Sequence, residues 1–279
     1  MGGLHSAALQ REESERETFF RILTHDDRNS YYVLSTCANG IWSEAAYKKS
    51  RLPFVPLGEF SSCYVTHNGF TGKRRKTEEV RQLGSLFFDL DCHAVSPGET
   101  RKAIDAALSL ITAACESQSL PEPSLVVDSG RGVHLYYVLD RSIPYRFASG
   151  GAVNSKGIGL FRLVQRQLSR VIEEIVAPIG CIEVDRKVFD FTRVARIPGT
   201  YNEAAGCFAR LVSVSEAYHD LSNLALWKPK TQGEAFPAKG KRSPVIVAFQ
   251  PLLLSRLGKI MELQEHRRFS CEGNRELMS

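Results

Sequence analysis

Three aspartates at the ends of apolar segments could bind a divalent cation. Asp89 and Asp91 lie in the segment LFFDLD, Leu86–Asp91, whose apolar residues predict a β-strand. Because side chains alternate across a strand, these two carboxylates point to the same face, with Cα atoms about 7 Å apart. Such carboxylates repel each other, and a hard divalent cation relieves that repulsion. Asp185 ends a second apolar segment and offers a third carboxylate, although a plain strand end beside a polar loop is the alternative interpretation.

A glycine-containing turn followed by a histidine has the composition of a phosphate-binding hairpin. Two β-rich segments, Ser124–Asp128 and Val133–Leu139, are joined by Ser129-Gly130-Arg131-Gly132, which is typical of a hairpin. Glycines allow the backbone to approach a ligand closely, Arg131 carries a forked cation suited to phosphate, and His134 adds a donor. The turn is not a Walker P-loop, because that motif needs Gly-x-x-x-x-Gly-Lys-Ser/Thr before a helix. An ordinary hairpin turn with a surface arginine is the alternative.

Two arginines follow the third aspartate. Arg193 and Arg196 are three residues apart, so their side chains face opposite ways in a regular strand. A bulge or turn near Thr192–Arg193 would bring both to one site. The alternative is a surface ladder of aspartates and arginines.

Composition excludes several classes of protein. The chain has 279 residues, of which 43% are hydrophobic and 24% charged, as in a globular protein of one large or two small domains. Its longest apolar runs are far shorter than the ~20 residues of a membrane span, and no secretory signal is visible. The seven cysteines are odd in number and contain no Cys-x-x-Cys pair, so we expect free thiols, no zinc site and a cytoplasmic protein.

Basic residues are clustered rather than in large excess. The net charge is only +5, which alone supports nucleic-acid binding weakly. Phosphate neutralisation needs local clusters, and the longest run of consecutive basic residues is Lys73, Arg74, Arg75 and Lys76. We predict that this segment binds DNA, and a solvated basic face is the alternative.

Helices and strands that position these residues are also predicted. Residues 11–23 form an amphipathic pattern, and Tyr31–Ser35 and Ser62–Thr66 are β-like. Glu78–Leu83 is predicted to be a short helix. A further helix begins at Pro97, because Ser96 fits the N-cap and Glu99 its capping-box partner. The apolar periodicity predicts a long helix over Leu160–Val176, whereas Phe147–Lys156 has the composition of a loop.

The three motifs together resemble those of a known family. The segments FFDLD, SGRGVHLYYVL and VDRKVFDFTRVARIPGTYN occur in this order, about forty and fifty residues apart, with a helix between each pair. This arrangement resembles the archaeo-eukaryotic primase superfamily, and most closely the primase-polymerases of plasmids and mobile elements. The resemblance covers roughly residues 60–215.

The resemblance implies a fold and a domain organisation. The fold class would be α+β, with an RNA-recognition-motif-like catalytic sheet, flanking helices and a smaller N-terminal α/β unit. The catalytic core would span residues 1–227, divided into an N-terminal unit at about 1–83 and an RNA-recognition-motif-like part at about 84–227. Residues 228–249 have the composition of a basic linker. Residues 250–279 are predicted to form a helical tail, which resembles the start of a truncated primase helical domain.

The resemblance also implies an activity. It is template-directed nucleotidyl transfer that makes or extends primers on single-stranded DNA, with two Mg²⁺ or Mn²⁺ ions and NTPs or dNTPs as substrates. The metal ligands and catalytic residues would be Asp89, Asp91 and Asp185. The incoming nucleotide would be held by Ser129, Arg131, Gly132, His134, Arg193 and Arg196. The role would be replication of a plasmid or mobile element, with a replicative helicase as a partner and no membrane association.

Two departures from the family pattern and two competing functions stay open. Many relatives carry a zinc-binding module, and no cysteine pairing for one occurs here. Asp190 lies five residues after Asp185 and competes with it for the role of third ligand. We favour Asp185 because it ends an apolar strand, and expect Asp190 to contact an arginine. The competing functions are a metal-dependent nuclease, which would use the same carboxylates, and a non-catalytic replication-initiation module that binds DNA.

Overall fold

The computed structural model describes most of the N-terminal four-fifths of the chain. The described residues are 15–27, 29–38, 40–57, 62–94, 96–147, 151–185 and 190–229. They all belong to one unit, which spans residues 1–231. The first predicted helix is described from residue 15 onwards. Nearly all of the predicted linker, and the whole predicted helical tail at 250–279, lie outside the described residues.

The described part of the chain is a mixed α+β structure, as predicted. Its helices are α1 (15–23), α2 (Pro97–Glu116), α3 (Ser155–Val176) and α4 (Leu221–Leu226). Its strands before α2 are β1 (Tyr31–Ala38), β2 (Ile41–Lys48), β3 (Ser62–Thr66), β4 (Gly69–Phe70) and β5 (Val80–Cys92). The later strands are β6 (Leu125–Asp128), β7 (Gly132–Pro144), β8 (Ile182–Val184), β9 (Val194–Arg196), β10 (Tyr201–Asn202), β11 (Cys207–Phe208) and β12 (Arg210–Val214).

Ten of these strands form one antiparallel sheet. Its order is β12-β6-β7-β5-β4-β1-β3-β9, with β2 also paired to β1 and β8 also paired to β5. The short pair β10-β11 forms a separate sheet. The central strand β5 therefore pairs with β7 along its length and with β8 at its C-terminal end. This arrangement brings the carboxylate-bearing ends of β5 and β8 side by side.

The two faces of the large sheet are covered by separate apolar clusters. Leu86, Phe88 and Leu90 on β5 pack in the cluster that includes α2 and α3. Phe87 lies on the opposite face, in the cluster that includes α1 and the N-terminal strands. The predicted alternation along β5 is thus confirmed, because successive side chains of a strand point to opposite faces.

Two predictions about local structure are wrong, and one is confirmed. The predicted helix at Glu78–Leu83 is only a helical turn over Thr77–Glu79, because Val80 and Leu83 are buried and belong to β5, whose ladder with β4 and β7 satisfies this backbone. Helix α3 begins at Ser155 rather than Leu160, because the Asn154 side chain accepts a hydrogen bond from the Gly157 N–H and caps the earlier turn. The capping box at the start of α2 is present as predicted.

Two findings concern the predictions from composition. Among the described residues, no helix is both long and apolar enough to cross a membrane. The six described cysteines, Cys37, Cys63, Cys92, Cys115, Cys181 and Cys207, form no disulfide bond.

Candidate functional site

The three predicted aspartates converge at the end of the central strand. In the antiparallel pairing of β5 with β8, Leu90 lies opposite Val184, and the Asp185 N–H donates a 2.8 Å hydrogen bond to the Asp89 carbonyl. Carboxylate oxygens of Asp89, Asp91 and Asp185 all lie within 4.8 Å of one another. Each of the three side chains is partly buried. Oxygen donors at this spacing have the chemistry of a Mg²⁺ or Mn²⁺ site.

The two aspartates of β5 have opposite electrostatic environments. Burial and the neighbouring charges of Asp89 and Asp185 raise the pKa of Asp91. Burial also acts to raise the pKa of Asp89, but the nearby His134, Arg193 and Arg196 outweigh it, so this pKa is lowered overall. A divalent cation between these carboxylates would oppose the repulsion that raises the Asp91 pKa.

His134 faces the triad from the neighbouring strand. The register of β5 and β7 pairs Asp89 directly with His134, and Nε2 of the imidazole lies 3.3 Å from Oδ1 of Asp89. The ring is buried and packs edge-on against Phe87. Its Nδ1 atom has no hydrogen-bond partner in the described part of the chain. Packing therefore fixes the imidazole beside the carboxylates with one nitrogen unused.

The glycines of the Gly–His turn are required by the turn and by strand pairing, whereas the sequence predicts that they make room for a ligand. Gly130 has a φ of +86°, which the turn requires. A Cβ atom on Gly132 would collide with the Leu90 carbonyl of β5, so this glycine serves strand pairing. The Ser129 hydroxyl donates to the Gly132 carbonyl at 3.2 Å, and buried Asp128 accepts from the Gly130 N–H at 2.9 Å. Of the predicted phosphate ligands on this turn, Arg131 is exposed and lines the cleft described below.

A turn before β9 aims Arg193 at the triad. The Asp190 carboxylate accepts hydrogen bonds from the N–H and the hydroxyl of Thr192, at 2.9 Å and 2.8 Å. Arg193 follows this turn, and its Nη2 lies 2.5 Å from Oδ2 of Asp185 and 4.0 Å from Oδ2 of Asp89. Asp185 is thus the third member of the carboxylate group, whereas Asp190 holds the turn. Arg193 therefore contacts the carboxylates of Asp185 and Asp89.

Arg196 is held by a tyrosine that the sequence did not single out. The pairing of β3 with β9 places Arg196 opposite Tyr64. The guanidinium lies 4.3 Å from the centre of the Tyr64 ring and also donates to the Tyr64 hydroxyl. Burial lowers the pKa of Arg196. The predicted turn near Thr192 therefore does bring both arginines to one site, since both line the same cleft.

We call this cleft the basic cleft, with a volume of about 560 Å³. That volume is in the range of pockets that bind small ligands. Predicted site residues among its lining are Asp89, Asp91, Ser129, Arg131, His134, Arg193 and Arg196. Asp91 also lines a second cleft, together with Asp185, Glu173 and Glu183. The triad therefore lies where the two clefts meet.

Some lining residues were missed by sequence reasoning. Trp42 and Tyr64 line the basic cleft but belong to no motif, and Asn202, which also lines it, ends the third motif without an assigned role. Trp42 and Tyr64 lie on strands far from the motifs in sequence, and an aromatic residue in a strand is more often part of the core. Only the sheet order reveals that they are close to the triad.

The predicted DNA-binding segment is divided between two environments. Arg75 lines the basic cleft, pairs with Glu44 at 2.8 Å and donates to the Thr192 carbonyl at 3.3 Å. Arg74 forms an ion pair with Glu79 at 2.8 Å. Lys73 and Lys76 are exposed. The segment therefore contributes one arginine to the cleft and exposed cations beside it.

The chain is similar in sequence to one known replication protein. No protein-family model matches the chain. A protein of Clostridium perfringens described as a replication protein is 28% identical over 242 residues, which are 85% of this chain and 53% of that protein. The chain thus spans about half the length of this relative.

Comparison with solved structures finds two primase domains. The AEP domain of the primase-polymerase of cyanophage S-2L has a TM-score of 0.50 and 13% identity, and the match covers 77% of this chain and 97% of that one. The catalytic domain of primase RepB′, solved in complex with initiator DNA, has a TM-score of 0.42 and 11% identity, covering 76% and 92%. The match to the cyanophage domain shows that the chain has the fold of a primase-polymerase AEP domain, so the resemblance to archaeo-eukaryotic primases predicted from its motifs is confirmed at the level of the fold.

Proposed function

We propose that this chain is the catalytic core of a primase-polymerase. It would transfer nucleotides in the order that a single-stranded DNA template directs, and so make or extend primers during replication of a plasmid or mobile element. One observation carries the proposal: the carboxylates of Asp89, Asp91 and Asp185 lie within 4.8 Å of one another, and Asp89 and Asp91 line a cleft that also contains His134, Arg131 and Arg196. A nucleoside triphosphate needs both a cation site and donors for its phosphates.

The carboxylate group fits a pair of Mg²⁺ or Mn²⁺ ions. Its oxygens lie within 4.8 Å of one another, and burial together with the charges of Asp89 and Asp185 raises the pKa of Asp91. Bound cations would relieve the repulsion between these carboxylates. When bound, two such ions lower the pKa of an attacking 3′-hydroxyl and stabilise the leaving pyrophosphate. Asp89 and Asp91 are fixed by β5, and Asp185 by its backbone bond to Asp89, so the ligands need little reorganisation.

Arginines and His134 would hold the triphosphate, and the arginines would neutralise part of its charge. Arg196 is fixed by Tyr64, and His134 is held by packing with Nδ1 unused, so both are preorganised. Arg131 is exposed at the tip of the hairpin and free of the core. Arg193 pairs with Asp185, so it would exchange a carboxylate partner for a phosphate as the cations and the nucleotide bind.

The same proposal includes partners beyond the nucleotide. Lys73 and Lys76 are exposed and lie within two residues of Arg75, which lines the basic cleft, so they could contact the phosphates of a template strand. The matched relative of Clostridium perfringens is named a replication protein, which agrees with a role in replication. A replicative helicase partner and a cytoplasmic location are parts of this proposal.

Template direction is the property to test. The full chain is incubated with Mn²⁺ or Mg²⁺, a primed homopolymer template such as oligo(dT), and each labelled nucleotide in turn. We expect extension only by the adenine nucleotide on this template, and only by the guanine nucleotide on oligo(dC), with the template left intact. Shortening of the DNA without extension would instead favour a metal-dependent nuclease, and DNA binding without either reaction would favour an initiation module.

A further inference from the structure

An exposed tryptophan continues the basic cleft beyond the proposed nucleotide site. We propose that Trp42, supported by Tyr64, is a stacking platform for an unpaired base of a single-stranded DNA strand that enters the cleft. The inference deepens the proposed function and rests on it for the identity of the ligand. It assigns a role to residues that belong to none of the sequence motifs.

The sheet places Trp42 on the same face as the cleft. Across β2, β1, β3 and β9, the register aligns Glu44, Ser35, Tyr64 and Arg196 in one row. Their strand neighbours Leu34, Val65 and Ala195 point to the opposite face, into the apolar core. Trp42 is two residues before Glu44 on β2, so its side chain shares the face of Tyr64 and Arg196.

The side chains of Arg196, Tyr64 and Trp42 contact one another in this order, and the last ring is exposed to solvent. Arg196 lies 4.3 Å from the centre of the Tyr64 ring, and the ring centres of Tyr64 and Trp42 are 5.5 Å apart with an angle of 33° between planes. Trp42 is nevertheless 58% exposed, and Ile41 beside it is 74% exposed. Tyr64 thus fixes one side of the indole, while the rest of its surface stays accessible to a planar ligand.

Charge and position favour a DNA strand over the base of the incoming nucleotide. Tyr64 and Arg196 lie between Trp42 and the carboxylate triad. Beside Trp42, Arg75 pairs with Glu44, which lies on the same strand as Trp42, and the exposed Lys73 and Lys76 lie within two residues of Arg75 in sequence. These cations are additional to the donors near the triad, so they match a polyanion longer than one nucleotide. Aromatic rings next to a positively charged groove are how proteins bind single strands without sequence preference.

Tryptophan fluorescence reports directly on the platform. The chain has two tryptophans, Trp42 and Trp227, and Trp227 packs against the apolar core. In a Trp227→Phe variant of the full chain, Trp42 is the sole tryptophan. Titration with oligo(dT), without metal or nucleotide, should quench its fluorescence. Saturable DNA binding with unchanged fluorescence would overturn the proposal.

Affinity measurements on the otherwise native chain give a second, independent test. Because stacking of one base contributes about 1–3 kcal/mol, Trp42→Ala should weaken binding of a labelled oligo(dT), measured by anisotropy, about fivefold or more. Trp42→Phe should retain most of the affinity. Phe54→Ala is the matched control, since Phe54 is 72% exposed and is absent from the residues that line the cleft. Equal weakening by Trp42→Ala and Phe54→Ala would contradict the platform.

Measurements of nucleotide affinity distinguish a base of the DNA strand from the base of the incoming nucleotide as the ligand of Trp42. Titration with a nucleoside triphosphate and Mn²⁺ should give the same affinity for Trp42→Ala and the native chain. Loss of nucleotide affinity without loss of DNA affinity would assign Trp42 to the incoming nucleotide and overturn the proposal.

The DNA-binding result does not depend on catalysis. If the native chain polymerises but Trp42→Ala binds DNA with native affinity, only this inference fails. Quenching of Trp42 fluorescence by DNA without polymerisation would contradict the proposed function alone.

Discussion

At the scale of single residues, an arginine offsets part of the negative charge of the carboxylate triad. Arg193 lies 2.5 Å from Asp185 and 4.0 Å from Asp89, so its guanidinium supplies positive charge to the same carboxylates that a metal cation would bind. Replacing it removes a positive charge that competes with the metal. The sequence predicted the arginine at this site and a turn near Thr192, which Asp190 holds by local hydrogen bonds, but not the pairing with Asp185, because that depends on how β8 and β9 fold together.

This competition predicts the effect of Arg193→Gln. Without nucleotide, the variant should bind Mn²⁺ a few-fold more tightly than the native chain, as measured by the electron paramagnetic resonance signal of free Mn²⁺. Arg141→Gln, which alters an exposed arginine of β7, serves as the control and should leave the affinity unchanged. Weaker binding by Arg193→Gln would show that the arginine supports the cation site rather than competing for it.

A buried histidine predicts a pH dependence of stability. Burial lowers the pKa of His67 from 6.5 to about 4, and its Nδ1 lies 3.2 Å from the Ser85 carbonyl. The imidazole therefore stays neutral in the folded protein, while the unfolded chain takes up a proton below pH 6.5. Its contribution is fully present above pH 6.5 and is lost as the pH falls towards 4, by up to about 3 kcal/mol.

Urea unfolding at several pH values tests this dependence. Between pH 6.5 and 4.5 the native chain should lose more unfolding free energy than His67→Gln, which has no titrating ring. His219, whose pKa burial also lowers, contributes in the same direction in both proteins and so cancels in the comparison. Parallel stability curves for the two proteins would contradict the prediction.

At the scale of secondary-structure elements, the alternation of β5 and the capping box of α2 could be predicted because short-range rules decide them. Strand β2 was missed, since its first five residues are all exposed and carry no alternating apolar pattern. The N-terminal part of β5 was assigned to a helix because its pairing with β4 and β7 is not visible locally. The elements that the sequence could not predict are therefore those that distant partners define.

The close approach of β7 to β5 predicts a large effect of a side chain at Gly132. A Cβ atom there would collide with the Leu90 carbonyl, between Asp89 and Asp91 on the strand that carries both. Gly132→Val should lower the unfolding free energy by about 3 kcal/mol, since the strands must separate. Gly84→Ala on β5 is the control, because its Cβ would be 3.7 Å from the Ser142 hydroxyl, an ordinary contact. Equal thermal unfolding of both variants would argue against this role of Gly132.

At the scale of the whole molecule, the cleft is a product of sheet order. It collects side chains from β2, β3, β5, β7 and β9, and from the segments beside them. The sequence motifs predicted its inner end, where the triad lies, because each motif is local. Its outer end, with Trp42 and Tyr64, depends on the order β3-β1-β2, which pairing between distant segments decides.

The distribution of charge predicts how salt weakens DNA binding. For single strands, log K falls with log salt by about 0.7 for each phosphate that the protein neutralises. Lys73→Ala with Lys76→Ala should therefore reduce the slope by about 1.4. Lys102→Ala with Lys156→Ala removes two exposed lysines from α2 and α3 and is the matched control. Identical slopes for the two double variants would exclude Lys73 and Lys76 from the DNA interface.

The most direct test of the central claim is nucleotide incorporation on an unprimed single-stranded DNA template with Mg²⁺ or Mn²⁺. The native chain is compared with Asp89→Asn, Asp91→Asn and with Asp140→Asn, whose carboxylate is exposed on β7 away from the triad. A primed template is run in parallel. We predict labelled products from the native chain and from Asp140→Asn on at least one template, and none from the double variant, whose thermal unfolding should stay close to native. Incorporation by the double variant at the native rate would contradict the account.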